Sequence, residues 1–576
     1  MKRERDGRSQ AAIRVQGGLL PPEFLWTIAS LRAPKQDGRD YGVTKSFSLR
    51  DEIARYWRVA NDLYDTWTSL RNSSSVDGEK LCRNSWLIPL LTTVLGWTDI
   101  ALSETVRIGE RAFPLSHTAF GGLVPALLTS PEHDLETADP RFGDEGRRRS
   151  PHGLIQELLN GGEKWMWGVV SNGMKIRLVR DNPSLTRPAF IEADLELIFG
   201  EQLYPDFVLL WLAFHGSRIR PGDGNASRCI LEGWRAQSQE EGQRALERLR
   251  EGVTESLRAL GNGFLRNPAN ARLRTALADG TLSPAAYFEE LLRLVYRLLF
   301  LFTAEERDVL HAPGAGERAR RLYRDGYGVV RLRTLSLRRR HSTPHSDLWR
   351  ALRIVFRALE TGAPPLALPA LGGLFDAEHC PFLDEAELSN EDLLAAVRSL
   401  AWFRSDGALA LVNYRDMGTE ELGSVYESLL ELVPCIDALA SPWTFDFVGG
   451  RDEKGTKGSA RKLTGSYYTP AVLVNELIRS ALEPVMDDAA RRRADDPRGA
   501  LLALRVVDPA CGSGHFLLAA ARRLAIEIAR LETGSDTPDE SARRHALREV
   551  VRSCIYGVDR NPLAVELCRT ALWIES

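Results

Sequence analysis

The residues best suited to chemistry are Asp508-Pro509-Ala510-Cys511-Gly512-Ser513-Gly514. An acid followed by a glycine-rich turn builds a small-molecule site when it lies between a strand and a helix. The glycines let a ligand approach the backbone, free N–H groups face it, and the acid supplies a fixed negative charge. Both flanks fit. Leu504 to Val507 is a short apolar run that predicts a strand, and Leu517, Ala520, Leu524, Ile528 and Leu531 recur at helical spacing after the turn. A dinucleotide fingerprint needs a third glycine three positions after Gly514, where this chain has Leu517. NAD is therefore the weaker ligand. An acid just before the turn suits a cationic ligand such as the ammonium of S-adenosylmethionine.

Two further stretches flank this one. Upstream stands Gly465-Ser466-Tyr467-Tyr468-Thr469-Pro470, and downstream Ile555-Tyr556-Gly557-Val558-Asp559-Arg560-Asn561-Pro562. The three, in this order, resemble the cofactor motifs of adenine-N6-specific DNA methyltransferases of type IIG-like restriction–modification and phage-defence (BREX- or DISARM-like) systems. The resemblance implies a Tyr-Thr-Pro that closes over the methionine end of S-adenosylmethionine and a second strand whose terminal acid binds the ribose hydroxyls. Carried onto this chain, the cofactor-binding residues are Tyr468, Thr469, Pro470, Asp508, Pro509, Ala510, Cys511, Gly512, Gly514, Phe516, Asp559 and Arg560. Double-stranded DNA is the implied substrate, with other defence-system subunits as further partners.

Adenine-N6 transfer needs a group that holds the flipped base, and in the family this is an Asn/Asp-Pro-Pro-aromatic. Here Asn-Pro occurs only as Asn182-Pro183-Ser184, Asn267-Pro268-Ala269 and Asn561-Pro562-Leu563, and none qualifies. No catalytic residue is assigned for that reason. The expectation is an N-terminal portion of a longer enzyme that binds cofactor but transfers no methyl group by itself. Two alternatives stand beside it: a fused restriction endonuclease–methyltransferase, and a cofactor- or DNA-binding subunit completed by a partner chain.

The whole chain sets bounds. At 576 residues it is too long for one core. A hydrophobic share of 44% with 27% charged residues is that of a globular protein. The longest apolar run, Phe207 to Phe214, is far short of a membrane span. Seven scattered cysteines without CxxC spacing point to a reducing cytoplasm and away from structural zinc or a disulfide framework. Net charge is −3, so no global basic field announces nucleic acid. Basic clusters occur at Arg147–Arg149, Arg338–His341 and Arg491–Arg493. Acids flank the first and third, which reads as solvated surface. From Arg331 to His341, five arginines stand without an acid among them, a run suited to lie along phosphates.

The fold expected is α/β: a nuclease-like N-terminal module, a helical connector, and the first part of a Rossmann-like S-adenosylmethionine-dependent methyltransferase domain. Residues 1–149 read as mixed α/β. Residues 150–235 carry a helix from Gly153 to Asn160, a strand through Val170, a Ser171-Asn172-Gly173 hairpin signal and the alternating run Met174 to Arg180. This order resembles the nuclease-like module of type I and type IIG restriction proteins. Such nucleases hold metal with an acid and an Asp/Glu-x-Lys. The nine lysines offer only Asp452-Glu453-Lys454, in a polar linker at 449–462, so a module without a metal site is expected. Glu157, Glu192 and Asp194 are its remaining acids of interest, and Gln156 is either the family's helix glutamine or a surface amide. Residues 236–448 read as the connector. In it Ser283 and Pro284 predict an N-cap and first residue for the apolar stripe Phe288 to Phe302, with Tyr414-Arg415-Asp416 and Glu420 to Glu427 as further family-like segments. Residues 463–576 are the methyltransferase part.

Overall fold

The structure, a computed structural model, describes residues 12–448, Thr469 and 471–576. Excepted are 45–46, 74–76, 110, 144–147, 163, 182–188, 313, 406–407, 416, 419–420, 422, 424, 426–428, 430–431, 535–537 and 539. The chain divides into two units. One holds residues 1–241, 483–504 and 522–550, and the other 242–482, 505–521 and 551–576.

In the first unit, β1 (Ile13–Gln16), β2 (Ala101–Leu102), β5 (His117–Ala119), β6 (Val124–Leu128), β7 (Trp167–Ser171), β8 (Lys175–Arg180) and β9 (Phe190–Asp194) form one sheet among the described residues. A hairpin of β3 (Val106–Ile108) and β4 (Arg111–Phe113) stands apart from it. The order is β1-β9-β8-β7-β6-β5-β2, antiparallel except where β6 meets β7. β7 and β8 turn at Asn172-Gly173 as their sequence predicts. The Asn172 side chain accepts the N–H groups of Met174 and Lys175 at 3.1 and 3.0 Å, and Gly173 takes φ +86°. The central strands are buried on both faces. Hence the unit is layered: α2 (Pro151–Gly161) packs Leu154, Ile155, Leu158 and Leu159 against one face, while α1 (Leu49–Ser73) and α3 (Tyr204–Phe214) join the core on the other. The sheet draws strands from both sides of residue 150 and so joins two segments that the sequence reading separates. Strand pairing over such distances has no local signature.

Between Leu81 and Trp97 the leucines keep near-helical spacing, but Arg83–Leu87 and Leu90–Val94 wind as π-helix, with Leu95 N–H donating to the Leu90 carbonyl at 2.9 Å. A long polar helix, α4, runs Ile230–Arg266.

The second unit centres on α5 (Pro284–Glu306). Ser283 caps it by accepting Ala286 N–H at 3.1 Å, with Pro284 at its start, as predicted. Its arginines do not break the core because each is answered. Arg297, fully buried, donates to Asp384 at 2.8 Å and to the Leu374 carbonyl at 2.9 Å. Around α5 lie α6 (Glu317–Gly326), α7 (Val329–Leu335), α8 (Asp347–Thr361) and α9 (Asn390–Ala401). Glu305 explains part of the arrangement: its carboxylate accepts Tyr323 O–H at 2.6 Å and the first N–H groups of α7, Val329 and Val330, at 2.8 and 3.1 Å. Tyr414 is core, stacked on Phe302 at 5.1 Å. Two short hairpins, β10 (Trp402–Ser405) with β11 (Ala408–Leu411) and β12 (Pro434–Asp437) with β13 (Thr444–Phe447), complete this part. Asp416 and most of 419–428 lie outside the described residues.

After Thr469 come a helix Ala471–Leu477, a π-helical turn Ile478–Leu482 and a helix Glu483–Arg492. Then come β14 (Val506–Asp508), α10 (His515–Thr533), α11 (Glu540–Ser553), β15 (Ile555–Gly557) and α12 (Pro562–Glu575). β14 begins two residues later than the apolar run suggests, because Leu504 N–H closes the preceding helix on Leu501. No helix among the described residues is long and apolar enough to cross a membrane.

Candidate functional site

β14 and β15 pair in parallel, Val506 with Ile555 and Asp508 with Gly557, as the motif order leads one to expect. Their carboxyl ends therefore point the same way. Beyond them the chain folds back twice. Cys511 N–H donates to the Val558 carbonyl at 2.9 Å, and Val558 N–H donates to the Asp508 carbonyl at 2.9 Å. The two acids reach this edge differently. Asp508, half-buried, accepts Ala510 N–H through Oδ1 at 3.0 Å; among the described residues its Oδ2 takes no hydrogen bond. Asp559 lies two residues past β15. It accepts Gly512 N–H at 2.9 Å through Oδ2 and Asn561 N–H at 2.8 Å through Oδ1. The carboxylate thus braces the glycine turn from the neighbouring strand, and each of its oxygens keeps a second lone pair.

The glycines do unlike work. Gly514 has φ +92°, and a Cβ there would lie 2.6 Å from Cys568 Sγ and 3.4 Å from Cys568 Cα. It is what lets α10 start against α12. Gly512 has φ +52°, and a Cβ there would meet nothing within 4 Å. Its outer side is open, which is what a ligand approaching the backbone needs. Gly557 is a close approach of a third kind, with Leu517 Cδ1 and Cys511 Sγ 2.8 and 3.1 Å from its built Cβ.

Cys511 and Cys568 are buried with Leu517 in one apolar cluster. Burial pushes the Cys511 thiol up and the Cys568 thiol up to about 12. Both are neutral packing groups rather than nucleophiles. Behind the turn, an apolar cavity of about 40 Å³ is lined by Leu299, Phe300, Gly423, Ser513 and Ile574 among others. A Cβ on Gly423 would run into the Ser513 side chain, so the turn rests closely on Gly423.

Of the residues singled out from sequence, Asp508, Cys511, Gly512, Gly514 and Asp559 come together at this edge. Pro509, Ala510 and Arg560 are exposed around it, and Phe516 is half-buried on the first turn of α10. Thr469 is half-buried and makes no hydrogen bond to the turn among the described residues; Tyr468 and Pro470 lie outside them. Sequence reasoning passed over Cys568, which reads only as a helix-face residue, and Asn561, whose side chain accepts Leu563 N–H at 3.1 Å and caps α12. An Asn-Pro pair at a helix start carried the Asn561 signal.

In the N-terminal unit the acids of interest are all engaged. Glu157 pairs with Arg149 at 2.8 Å, Glu192 with Arg177, and Asp194 caps Leu197 N–H at 2.9 Å. Gln156 donates to the Arg180 carbonyl and to Asn160, both at 2.9 Å. Among the described residues no three His, Cys, Asp or Glu side chains are grouped to hold a metal; Asp452 and Lys454 lie outside them.

Residues 488–576 match the family model of the MmeI DNA-methyltransferase domain. The chain is similar to the adenine-specific methyltransferase PglX of Streptomyces coelicolor, with 28% identity over 211 residues, 35% of this chain and 14% of that protein. It is also similar to a putative type II restriction enzyme and methyltransferase of Methanocaldococcus jannaschii, 23% identical over 189 residues, 28% of this chain and 14% of that one. The chain thus spans about a seventh of the length of these curated relatives. No solved structure matches it. Over residues 488–576 the chain is therefore similar to a DNA-methyltransferase domain, in agreement with the resemblance that its motifs carry.

Proposed function

We propose that these residues carry the cofactor-binding part of an adenine-N6-specific DNA methyltransferase of a restriction–modification or phage-defence system. The observation that carries the reading is the parallel pairing of β14 and β15, which sets Asp508, the glycine turn and Asp559 on one edge. S-adenosylmethionine supplies an electrophilic sulfonium methyl group. Asp508, with an oxygen free to accept, suits its ammonium; Asp559, with lone pairs to spare, suits the ribose hydroxyls; the open side of Gly512 leaves room for the chain between them. Thr469, flanked by Tyr468 and Pro470, is the proposed lid. The donor set fits the cofactor.

On the same reading, residues 463–576 are Rossmann-like, 150–235 are the nuclease-like part of the sheet they share with the preceding segment and do not cut, 236–448 are the connector, and double-stranded DNA is the substrate. The adenine amine must be held in line with the methyl, and orientation of that kind is worth about 7–11 kcal/mol. No Asn-Pro-Pro occurs in residues 1–576, so cofactor binding is the step assigned to them. Calorimetric titration with S-adenosylmethionine should show saturable binding. Asp559→Ala should weaken it at least about tenfold, the worth of hydrogen bonds to a charged group. Transfer of labelled methyl to duplex DNA should stay at background. Equal affinity in Asp559→Ala would refute the pocket, and efficient methylation by residues 1–576 would refute the assignment of roles.

A further inference from the structure

Three arginine clusters were visible in the sequence, and the structure separates them. Arg149 is buried and pairs with Glu157 at 2.8 Å. Arg492 pairs with Asp488 at 2.8 Å and Arg493 with Asp496 at 3.1 Å. The pairs of Arg492 and Arg493 are those of a neutralised surface, whereas Arg149 departs from the solvated reading and belongs to the interior. The run from Arg331 to Arg340 behaves otherwise. Its first two arginines belong to the fold: Arg331 donates to the Gly326 carbonyl at 3.0 Å, and Arg333 pairs with Glu306. The last three, on the tight turn that follows α7, are exposed. Among the described residues Arg338, Arg339 and Arg340 have no acidic partner. Arg340 Nε donates instead to the neighbouring His341 ring at 3.2 Å. Together the three line a shallow open cleft of about 350 Å³.

Three adjacent arginines lining one cleft repel each other, and among the described residues none has a carboxylate beside it to offset that repulsion. Such a set suits an oxyanion, and guanidinium geometry matches phosphate oxygens in pairs. The turn is also fixed from below: α7 is capped by Glu305 and tied by Arg333 to Glu306, so the cleft is presented by an ordered element. We propose that Arg338, Arg339 and Arg340 form a docking site for the phosphate backbone of duplex DNA, a positioning surface separate from the glycine turn. The assignment to DNA rests on the methyltransferase reading.

The test measures fluorescence anisotropy of a labelled duplex against the 576-residue chain over a potassium chloride series. If each arginine neutralises one phosphate, Arg338→Gln/Arg339→Gln/Arg340→Gln should flatten the slope of log affinity against log salt by about 2.7. Affinity at physiological salt should fall at least about tenfold. The triple lysine variant keeps the charge and should restore the slope. Arg491→Gln/Arg492→Gln should leave it unchanged, and melting curves of all variants should coincide. An unaltered slope in the triple glutamine variant overturns the docking site and leaves the cofactor reading standing. So does equal binding of single-stranded RNA, which would make the cleft a general polyanion surface. Failure of the unaltered chain to bind any duplex, with S-adenosylmethionine still bound, overturns the DNA assignment itself.

Discussion

Two glycines two positions apart make a controlled experiment at the scale of single residues. Gly512→Ala adds a methyl where nothing stands within 4 Å, and its left-handed backbone costs about 1 kcal/mol. Gly514→Ala adds one within 2.6 Å of Cys568 Sγ and 3.3 Å of its Cβ, a buried side chain with little room to move, so about 2–4 kcal/mol is expected from strain and overpacking. Chemical denaturation should therefore rank Gly514→Ala well below Gly512→Ala in stability, while titration with S-adenosylmethionine should find Gly512→Ala impaired although folded. Equal stability losses would show that the two glycines are not doing different work. The sequence made both visible, since acid-turn-glycine spacing is local. It did not say which faced a ligand and which faced Cys568, because Cys568 arrives 54 positions after Gly514.

Among elements, α12 is held at four places. Asn561 caps its start next to Asp559, Cys568 packs under Gly514, and Glu566 receives Arg293 of α5 at 3.3 Å with His379 at 3.7 Å. Trp573 meets Phe300 at 5.2 Å between centroids. Glu566 and Arg293 are mostly buried, so removing one partner strands the other charge, at a cost of about 3–5 kcal/mol. Arg293→Met should lower the melting temperature strongly, and Arg293→Met with Glu566→Leu should recover most of the loss. A double variant as unstable as the single would mean that packing, not charge, sets the effect. From sequence, Arg293 and Arg297 appear only as interruptions of an apolar stripe. They argue correctly for a core helix, but their partners Glu566 and Asp384 stand 273 and 87 positions away. Caps such as Ser283 were legible because donor and acceptor are three residues apart.

Across the whole molecule the buried titratable groups divide by unit. In the unit with the large sheet, burial pushes His152 and His215 down to about 3. Such groups fold best neutral. Their contribution is complete above pH 6.5 and is lost as pH falls, on the order of 2 kcal/mol each by pH 5. Asp181, raised by burial, pulls the other way. In the helical unit, burial raises Glu290 to about 7 against the N–H groups of Leu383 and Phe382, and raises Glu305 and Asp384 as well. These contribute fully below their ordinary range near 4, and the contribution is lost as pH rises through the folded value, about 3 kcal/mol for Glu290 by pH 8. Scanning calorimetry between pH 5 and 8 should show one transition moving up and the other down. Glu290→Gln should flatten the second. Transitions that move together would contradict the division.

The pairing of β1 with β9 also sets a timetable. Ile13 meets Ala193, about 180 residues later in the chain. At ribosomal speeds of about 5–20 residues per second, the first strand waits on the order of ten seconds or more for its neighbour. The same unit takes in residues 522–550, made only after the helical unit's first long segment. During that interval an unpaired strand of alternating side chains is the part of the nascent protein most open to wrong partners, and slowing or pausing translation before residue 194 lengthens its exposure.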